Sequence, residues 1–298
     1  MDKSTSKSRA PTPDETPVRF LAGLVGEGIG ASRSPWLHER EADALGLRLT
    51  YSFYDLANVP ERGEALLEIL DAAKRMGFAG LNITHPYKQQ VIPLLDELAE
   101  GARRIGAVNT VAFRDGRSIG FNTDYLGFAE GLRRGLQGAS FDNVVQLGAG
   151  GAGAATAYAL LEHGASNLHL FDVEPERAAA LAGALGSSFD RARIHIVPDL
   201  RSALAIADGV VNATPVGMVG HAGVPLPLQM LGPSMWVADI VYFPLETELL
   251  EQARAMGCRT LDGIAMVVFQ AAAAFDIFTG HTADRERMLS DALRHWTS

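Results

Sequence analysis

Beyond Pro17, apolar residues alternate between two spacings. Short apolar runs predict strands at residues 20–25, 49–54 and 80–84. Residues 36–45 read as a helix entered through Ser34-Pro35, with proline in the first turn. Residues 62–76 read as an amphipathic helix, because Leu66, Leu67, Leu70 and Ala73 share one face. Residues 91–99 read as a further helix. Residues 108–113 and 118–121 read as a hairpin turning at Asp115-Gly116. In the second half, strands at 144–147, 168–172, 194–197, 210–212 and 237–241 accompany helices at 151–163 and 175–185. Continuous apolar strands between helices imply a parallel sheet covered on both faces. Helices at 264–278 and 284–296 end the chain and are expected to return toward the first half.

This order predicts an α/β protein in four parts. Residues 1–17, rich in Ser, Thr, Lys and Pro, form a disordered tail. Residues 18–123 form an α/β substrate domain and 124–263 a doubly wound dinucleotide-binding domain. Residues 264–298 supply helices that pack back on the first domain. A chain of 298 residues accommodates two such domains.

Composition narrows the function. Lys and Arg number 26 against 35 Asp and Glu, a net charge of −9. That balance argues against a nucleic-acid partner. No run approaches the ~18–20 apolar residues that span a bilayer, and residues 1–17 lack the apolar core of a secretory signal. A cytoplasmic protein without a membrane partner is expected, as a monomer or homodimer. The single cysteine, Cys258, excludes an intrachain disulfide and a Cys-based zinc site. The eight histidines show no ligand spacing, so no metal is expected.

The strand at 144–147 runs into Gly148-Ala149-Gly150-Gly151-Ala152-Gly153, and Gly148, Gly150 and Gly153 fit G-x-G-x-x-G. The first glycine permits a tight turn, the second close approach of a pyrophosphate, and the third helix–strand packing. The following helix N-terminus offers free N–H groups to the anion. Asp172 closes the next strand, 19 residues after Gly153. A carboxylate there accepts from both ribose hydroxyls of NAD and repels the 2′-phosphate of NADP. NAD is therefore the expected cofactor. Arg177, close by, would soften that choice, and capping of the helix near Pro175 is the alternative role for Asp172.

Three segments of the first half place polar groups that a plain fold would not need. Ser32-Arg33-Ser34-Pro35 sets two hydroxyls at a helix start. The segment from Asn82 through Thr84 to Lys88 sets a lysine on a turn after a strand. Asn109, Asn122 and Asp124 add two amides and an acid. Taken singly, Ser34 reads as an N-cap, Lys88 as a solvated charge and Asn109 as a turn former.

Taken together, the motifs resemble the shikimate dehydrogenase family over nearly the whole chain from Phe20. Ser-x-Ser-Pro, Asn-x-Thr-x-Pro-x-Lys, Ala-Val-Asn-Thr, Asn-Thr-Asp and Gly-Ala-Gly-Gly follow in order. Asn-Ala-Thr-Pro-x-Gly, Asp-x-x-Tyr and Asp-Gly-x-x-Met-x-x-x-Gln complete the series. The resemblance implies reversible hydride transfer between a nicotinamide cofactor and the C3 oxygen of a cyclohexene acid, shikimate. It implies Lys88 and Asp124 as the catalytic pair. Ser32, Ser34 and Tyr242 would bind the substrate carboxylate, and Thr84, Asn109 and Gln270 its ring hydroxyls. Gln270 lies in an apolar helix, where a buried amide needs a partner. The cofactor would lie on Gly148, Ala149, Gly150, Gly151, Ala152 and Gly153, with Asp172, Thr214, Ile240 and Gly263 around it. A lysine of ordinary pKa, ~10.4, is a poor base at neutral pH, so which member of the pair takes the proton stays open. Asp172 and His85 resemble the NAD-using quinate/shikimate branch, whereas Ser34 suits shikimate over quinate. An NADP-linked biosynthetic enzyme, an aminoshikimate dehydrogenase and a non-catalytic NAD-binding regulator are the alternatives.

Overall fold

A computed structural model describes residues 18–296; the tail expected at residues 1–17 lies outside them. The first half holds β1 (Arg19–Gly26), α1 (Ser34–Ala44), β2 (Arg48–Asp55), α2 (Arg62–Arg75), β3 (Gly80–Ile83) and β4 (Glu97–Leu98). It continues through α3 (Glu100–Ile105), β5 (Thr110–Arg114) and β6 (Arg117–Phe121) to α4 (Asp124–Gly135). The second half holds β7 (Asn143–Leu147), α5 (Gly151–His163), β8 (Asn167–Phe171), α6 (Pro175–Leu185), β9 (Ile194–Ile196) and α7 (Leu200–Leu204). Then come β10 (Gly209–Asn212), β11 (Trp236–Asp239), α8 (Glu248–Ala255), β12 (Arg259–Leu261), α9 (Gly263–Thr279) and α10 (Arg285–Trp296).

Two six-stranded sheets result. The first runs β2-β1-β3-β5-β6-β4, with β1 parallel to β2 and β3, and β5 antiparallel to both β3 and β6. The second runs β12-β11-β10-β7-β8-β9 and is parallel throughout. Its order reverses between β7 and β10. Ligands of doubly wound sheets bind at the strand C-termini there. Gly148 and Ala213 follow those two strands.

The helix expected at 91–99 is absent. Only one 3₁₀ turn forms there, at Ile92–Leu94. The chain then pairs β4 with β6 and starts α3. Residues 124–135, by contrast, form a helix that periodicity alone did not disclose. Gly127, Gly131 and Gly135 depress its intrinsic propensity, yet Asp124, Gly127, Phe128, Gly131 and Leu132 are buried at helical spacing. Gly127 serves a close helix crossing. A Cβ at Gly127 would lie 2.4 Å from the Met266 carbonyl oxygen and 2.7 Å from the Gln270 nitrogen, both in α9.

Helices α9 and α10 close the first half. Val268, Phe269, Ala272, Phe275 and Met288 share a core with Ala22 and Leu24 of β1, Leu37 of α1 and Leu49 of β2. The buried Glu41 carboxylate on α1 accepts from Arg287 at 2.6 Å and from the Asp284 N–H at 2.7 Å, fixing α10 to α1. Among the described residues, no helix is long and apolar enough to cross a membrane.

Candidate active site

Lys88 and Asp124 meet where the two halves face each other. Lys88 sits on the turn after β3 and Asp124 opens α4. Lys88 Nζ lies 2.6 Å from Asp124 Oδ2, with 18% and 9% of the two side chains exposed, so the pair is largely shielded from water. Such charge-assisted bonds are short and strong. Asn109 Nδ2 donates to Asp124 Oδ1 and to Thr123 Oγ1, both at 2.9 Å. Asn109 Oδ1 accepts the Thr123 backbone N–H at 2.6 Å. This amide is therefore committed within the protein, and its first effect is to hold Asp124 in place.

Gln270 reaches the same cluster from α9. Its Oε1 accepts from Thr123 Oγ1 at 3.3 Å and Asn109 Nδ2 at 3.4 Å. Its amide NH₂ donates to no described residue and is not sealed from solvent, so two donors remain for a ligand. The Thr84 hydroxyl, half-buried, also makes no hydrogen bond to a described residue.

The network extends through Tyr51, outside the motifs, and through Asn82 and Thr110, motif residues to which the sequence assigned no role. Tyr51 OH donates to Asn82 Oδ1 at 2.8 Å, and Asn82 Nδ2 donates to Thr110 Oγ1 at 2.9 Å. Thr110 Oγ1 lies 3.2 Å from Thr123 Oγ1. The available signal was Asn82 itself, an amide inside the apolar strand Gly80–Ile83, which has to find partners when buried. Burial pushes the Tyr51 phenol well above its ordinary pKa, while a hydrogen bond with Ser34 acts in the opposite direction. The Tyr51 backbone N–H donates to Glu39 Oε1 at 2.9 Å, which joins β2 to α1. Ser32 Oγ and Ser34 Oγ are 3.2 Å apart, and Ser32 Oγ also accepts the Ser34 N–H. Tyr242 comes to this region from the loop after β11. Burial raises its pKa, the Asp124 charge adds to that, and the Arg33 charge opposes it.

On the second sheet the glycines divide by what they serve. Gly148 has φ +95°, and an added Cβ would meet the Ala213 carbonyl oxygen at 2.7 Å. A Cβ at Gly153 would lie 2.4 Å from the Gly148 carbonyl oxygen. The fold requires both. Gly150 is extended, at φ −75° and ψ −169°, and its Cβ would meet nothing within 4 Å. Neither conformation nor packing explains glycine there. Open space before the first turn of α5 does fit a pyrophosphate approaching the backbone. A Cβ added at Gly151 would lie 3.6 Å from Lys88 Cβ and Cδ, so the start of α5 adjoins the lysine pair.

Asp172 follows β8 and faces this loop. Its Oδ2 accepts the Ala149 N–H at 2.7 Å and its Oδ1 the Glu174 N–H at 2.9 Å. The second bond supports the entry to α6, so the capping alternative is partly met. Each carboxylate oxygen keeps a second lone pair for a ligand hydroxyl. Arg177 is engaged with Glu174 at 2.9 Å.

The remaining cofactor candidates converge on a buried carboxylate, the first residue of the Asp-x-x-Tyr motif, to which the sequence assigned no role of its own. Asp239, 1% exposed, accepts from Asn212 Nδ2 at 2.9 Å, the Val241 N–H at 3.0 Å and Thr247 Oγ1 at 2.8 Å. Burial raises its pKa to about 6, outweighing these bonds. Asn212 Oδ1 accepts the Thr214 N–H and hydroxyl, which sets Thr214 beside Gly148. Gly263 opens α9 under the Ile240 and Val241 carbonyls, where a Cβ would lie 2.6–2.7 Å from their oxygens. Asp262 Oδ1 caps α9 through the Ile264 N–H.

Comparison with known proteins agrees with this layout. Residues 24–111 match the family model of the shikimate dehydrogenase substrate binding domain. Residues 263–290 match that of the shikimate 5'-dehydrogenase C-terminal domain. A shikimate dehydrogenase (NADP(+)) of Streptomyces avermitilis is 55% identical, over 91% of this chain and 94% of that protein. A quinate/shikimate dehydrogenase (NAD(+)) of Corynebacterium efficiens is 52% identical, over 90% and 96%. The solved quinate dehydrogenase from Corynebacterium glutamicum in complex with NAD superposes with a TM-score of 0.88 at 46% identity, covering 93% of this chain and 99% of that one. With its substrate-domain sheet, its Rossmann-type sheet and the lysine–aspartate pair between them, the chain belongs to the shikimate dehydrogenase family of oxidoreductases.

Proposed function

We propose that the protein is an NAD-preferring shikimate dehydrogenase that interconverts shikimate and 3-dehydroshikimate, with quinate as a second substrate. The observation that carries this reading is the Lys88–Asp124 pair, 2.6 Å apart and packed on Gly151 at the start of α5. Oxidation of a secondary alcohol removes the hydroxyl proton as the carbinol hydrogen departs with its electron pair. Bound oxidised nicotinamide would supply the hydride acceptor. The pair takes the proton, and in ketone reduction Lys88 returns it to the oxygen. Lys88 also donates a hydrogen bond to the oxygen as negative charge develops there. Asn109 fixes Asp124, and Asp124 aims Lys88. The free Gln270 amide and the Thr84 hydroxyl hold ring hydroxyls. Ser32, Ser34 and Tyr242 hold the carboxylate.

The NAD preference rests on Asp172. Relatives named for NADP and for NAD are 55% and 52% identical to this chain, so overall similarity does not divide the two. The carboxylate suits ribose hydroxyls and opposes a 2′-phosphate, and the nearby Arg177 is paired with Glu174. The test is initial-rate absorbance of reduced nicotinamide with shikimate and with quinate, each with NAD and NADP. The highest kcat/KM is expected for shikimate with NAD. Failure of either acid to reduce either nucleotide would overturn the proposal.

A further inference from the structure

The groups proposed to hold the substrate carboxylate, Ser32, Ser34 and Tyr242, are all neutral. Hydroxyls hydrogen-bond a carboxylate but leave its charge uncompensated, and withdrawing an unpaired carboxylate from water is costly. The net charge of −9 also disfavours approach of an anion. The Lys88 charge is engaged with Asp124. Arg33 is different. It lies between the two serines and is exposed, and it forms no ion pair with a described residue. It lines, with Tyr242, Ala31, Phe243 and Trp296, a cavity of about 300 Å³. The first turn of α1, which begins at the next residue, holds no acidic side chain to neutralise it. The helix N-terminus adds positive potential of the same sense.

We propose that Arg33 is the charge partner of the substrate carboxylate, and so the residue that selects acids over their neutral analogues at this site. The cavity gives the guanidinium room to turn from solvent toward Tyr242, and its planar fork suits a carboxylate. The effect of the Arg33 charge on the Tyr242 phenol is consistent with that proximity. Arg33 touches no reacting atom; it acts on binding and orientation.

This inference rests on the proposed function, and the experiment separates the two. Steady-state oxidation of shikimate is measured for the unaltered enzyme, Arg33→Ala and Arg33→Lys. Shikimate amide, which keeps the ring and loses the charge, is measured beside it as substrate or competitive inhibitor. Arg33→Ala is expected to raise KM for the acid about 10-fold, the low end for a hydrogen bond to a charged group, with kcat changed less than about 2-fold. Arg33→Lys should recover most of the loss. The amide constant should be the same with and without Arg33. Salt should raise KM of the unaltered enzyme and leave that of Arg33→Ala nearly flat. An unchanged KM for the acid in Arg33→Ala, or equal losses for acid and amide, would overturn the proposal. If the unaltered enzyme oxidises no cyclohexene acid, the proposed function itself falls.

Discussion

On the first-sheet side, the groups proposed to face a ligand are side chains. Lys88, Asp124, Asn109 and Gln270 come from four separate elements or loops and hold one another through bonds of 2.6–3.4 Å. On the second-sheet side, the surface proposed to face the cofactor is mostly backbone. Gly148, Gly150 and Gly153 shape a loop, and side chains such as Asp172 and Gln146 act by bonding to that backbone. Gln146 Nε2 donates to the Gly148 and Gly153 carbonyls at 2.9 and 2.8 Å. The difference has a chemical origin. Proton transfer needs titratable groups at fixed distances, and only a cross-linked side-chain network supplies them. A pyrophosphate needs converging N–H groups, which a loop entering a helix already offers. Substitutions in the first region should therefore damage chemistry. Those in the second should damage cofactor binding or the fold itself.

The largest contrast is expected at Lys88. Lys88→Ala should lower kcat by about 10²–10⁴ with a much smaller change in the dissociation constant for NAD. Steady-state kinetics together with calorimetric titration of the nucleotide would check this. A kcat near that of the unaltered enzyme would remove Lys88 from the chemistry.

The two regions should also respond oppositely to pH. His38 in the first region is fully buried, neither ring nitrogen has a hydrogen-bond partner among the described residues, and burial lowers its pKa to about 3. As pH falls below the ordinary histidine value, the unfolded chain binds a proton that the folded chain refuses. Acid therefore removes stability, by up to about 4–5 kcal/mol near pH 3. Asp239 in the second region has its pKa raised to about 6. Its stabilising contribution is complete below the ordinary aspartate value and is lost as pH rises through about 6, a change of about 3 kcal/mol. Urea unfolding across pH 4–7.5 would resolve the two. His38→Leu should flatten the acid loss, and Asp239→Asn should remove the loss on the alkaline side. Variant curves that run parallel to the unaltered protein would contradict both assignments.

A smaller split is expected within the glycine loop. Gly153→Ala places its Cβ against the Gly148 carbonyl and should destabilise the fold by about 1–3 kcal/mol. Gly150→Ala meets open space and should leave stability within about 0.5 kcal/mol. It should instead raise KM for NAD about 10-fold, through loss of close backbone approach. Thermal unfolding and cofactor kinetics on both variants would separate the roles. Equal effects on stability would erase the distinction between a glycine the fold needs and one the ligand needs.

The same contrast explains what the sequence made legible. The second sheet follows local rules. Helices α5 and α6 start and stop at the residues the pattern predicts, because Gly164 and Pro175 punctuate the chain. The glycine motif is contiguous, so its site could be read from six residues. The first region depends on tertiary encounters. Nothing local to Asp124 shows that it starts a helix, since Gly127, Gly131 and Gly135 weaken α4 and their neighbours come from α9 and β12, more than 120 residues away in sequence. The partners of Gln270 lie about 150 residues away in sequence. The roles of Tyr51 and Asn82 emerge only once β1 and β3 sit side by side in the sheet with β2. The helix expected at 91–99 does not form because residues 96–98 find distant partners instead: Glu97 and Leu98 pair with β6, and Asp96 accepts from Ser118.

The cofactor preference is the claim on which the account turns, and Asp172 tests it most directly. The measurement is the ratio of kcat/KM for NAD to that for NADP, with shikimate saturating, in the unaltered enzyme and in Asp172→Ala. Hydrogen bonds from ribose hydroxyls to a carboxylate are worth roughly 1–3 kcal/mol each, and a 2′-phosphate replaces them with repulsion. The unaltered enzyme should favour NAD by about 10²-fold or more. Asp172→Ala should lower that ratio at least about 10-fold, through loss of NAD efficiency with a relative gain for NADP. A preference for NADP in the unaltered enzyme, or a ratio that Asp172→Ala leaves unchanged, would show that this carboxylate serves only the Ala149 and Glu174 backbone and would contradict the NAD assignment.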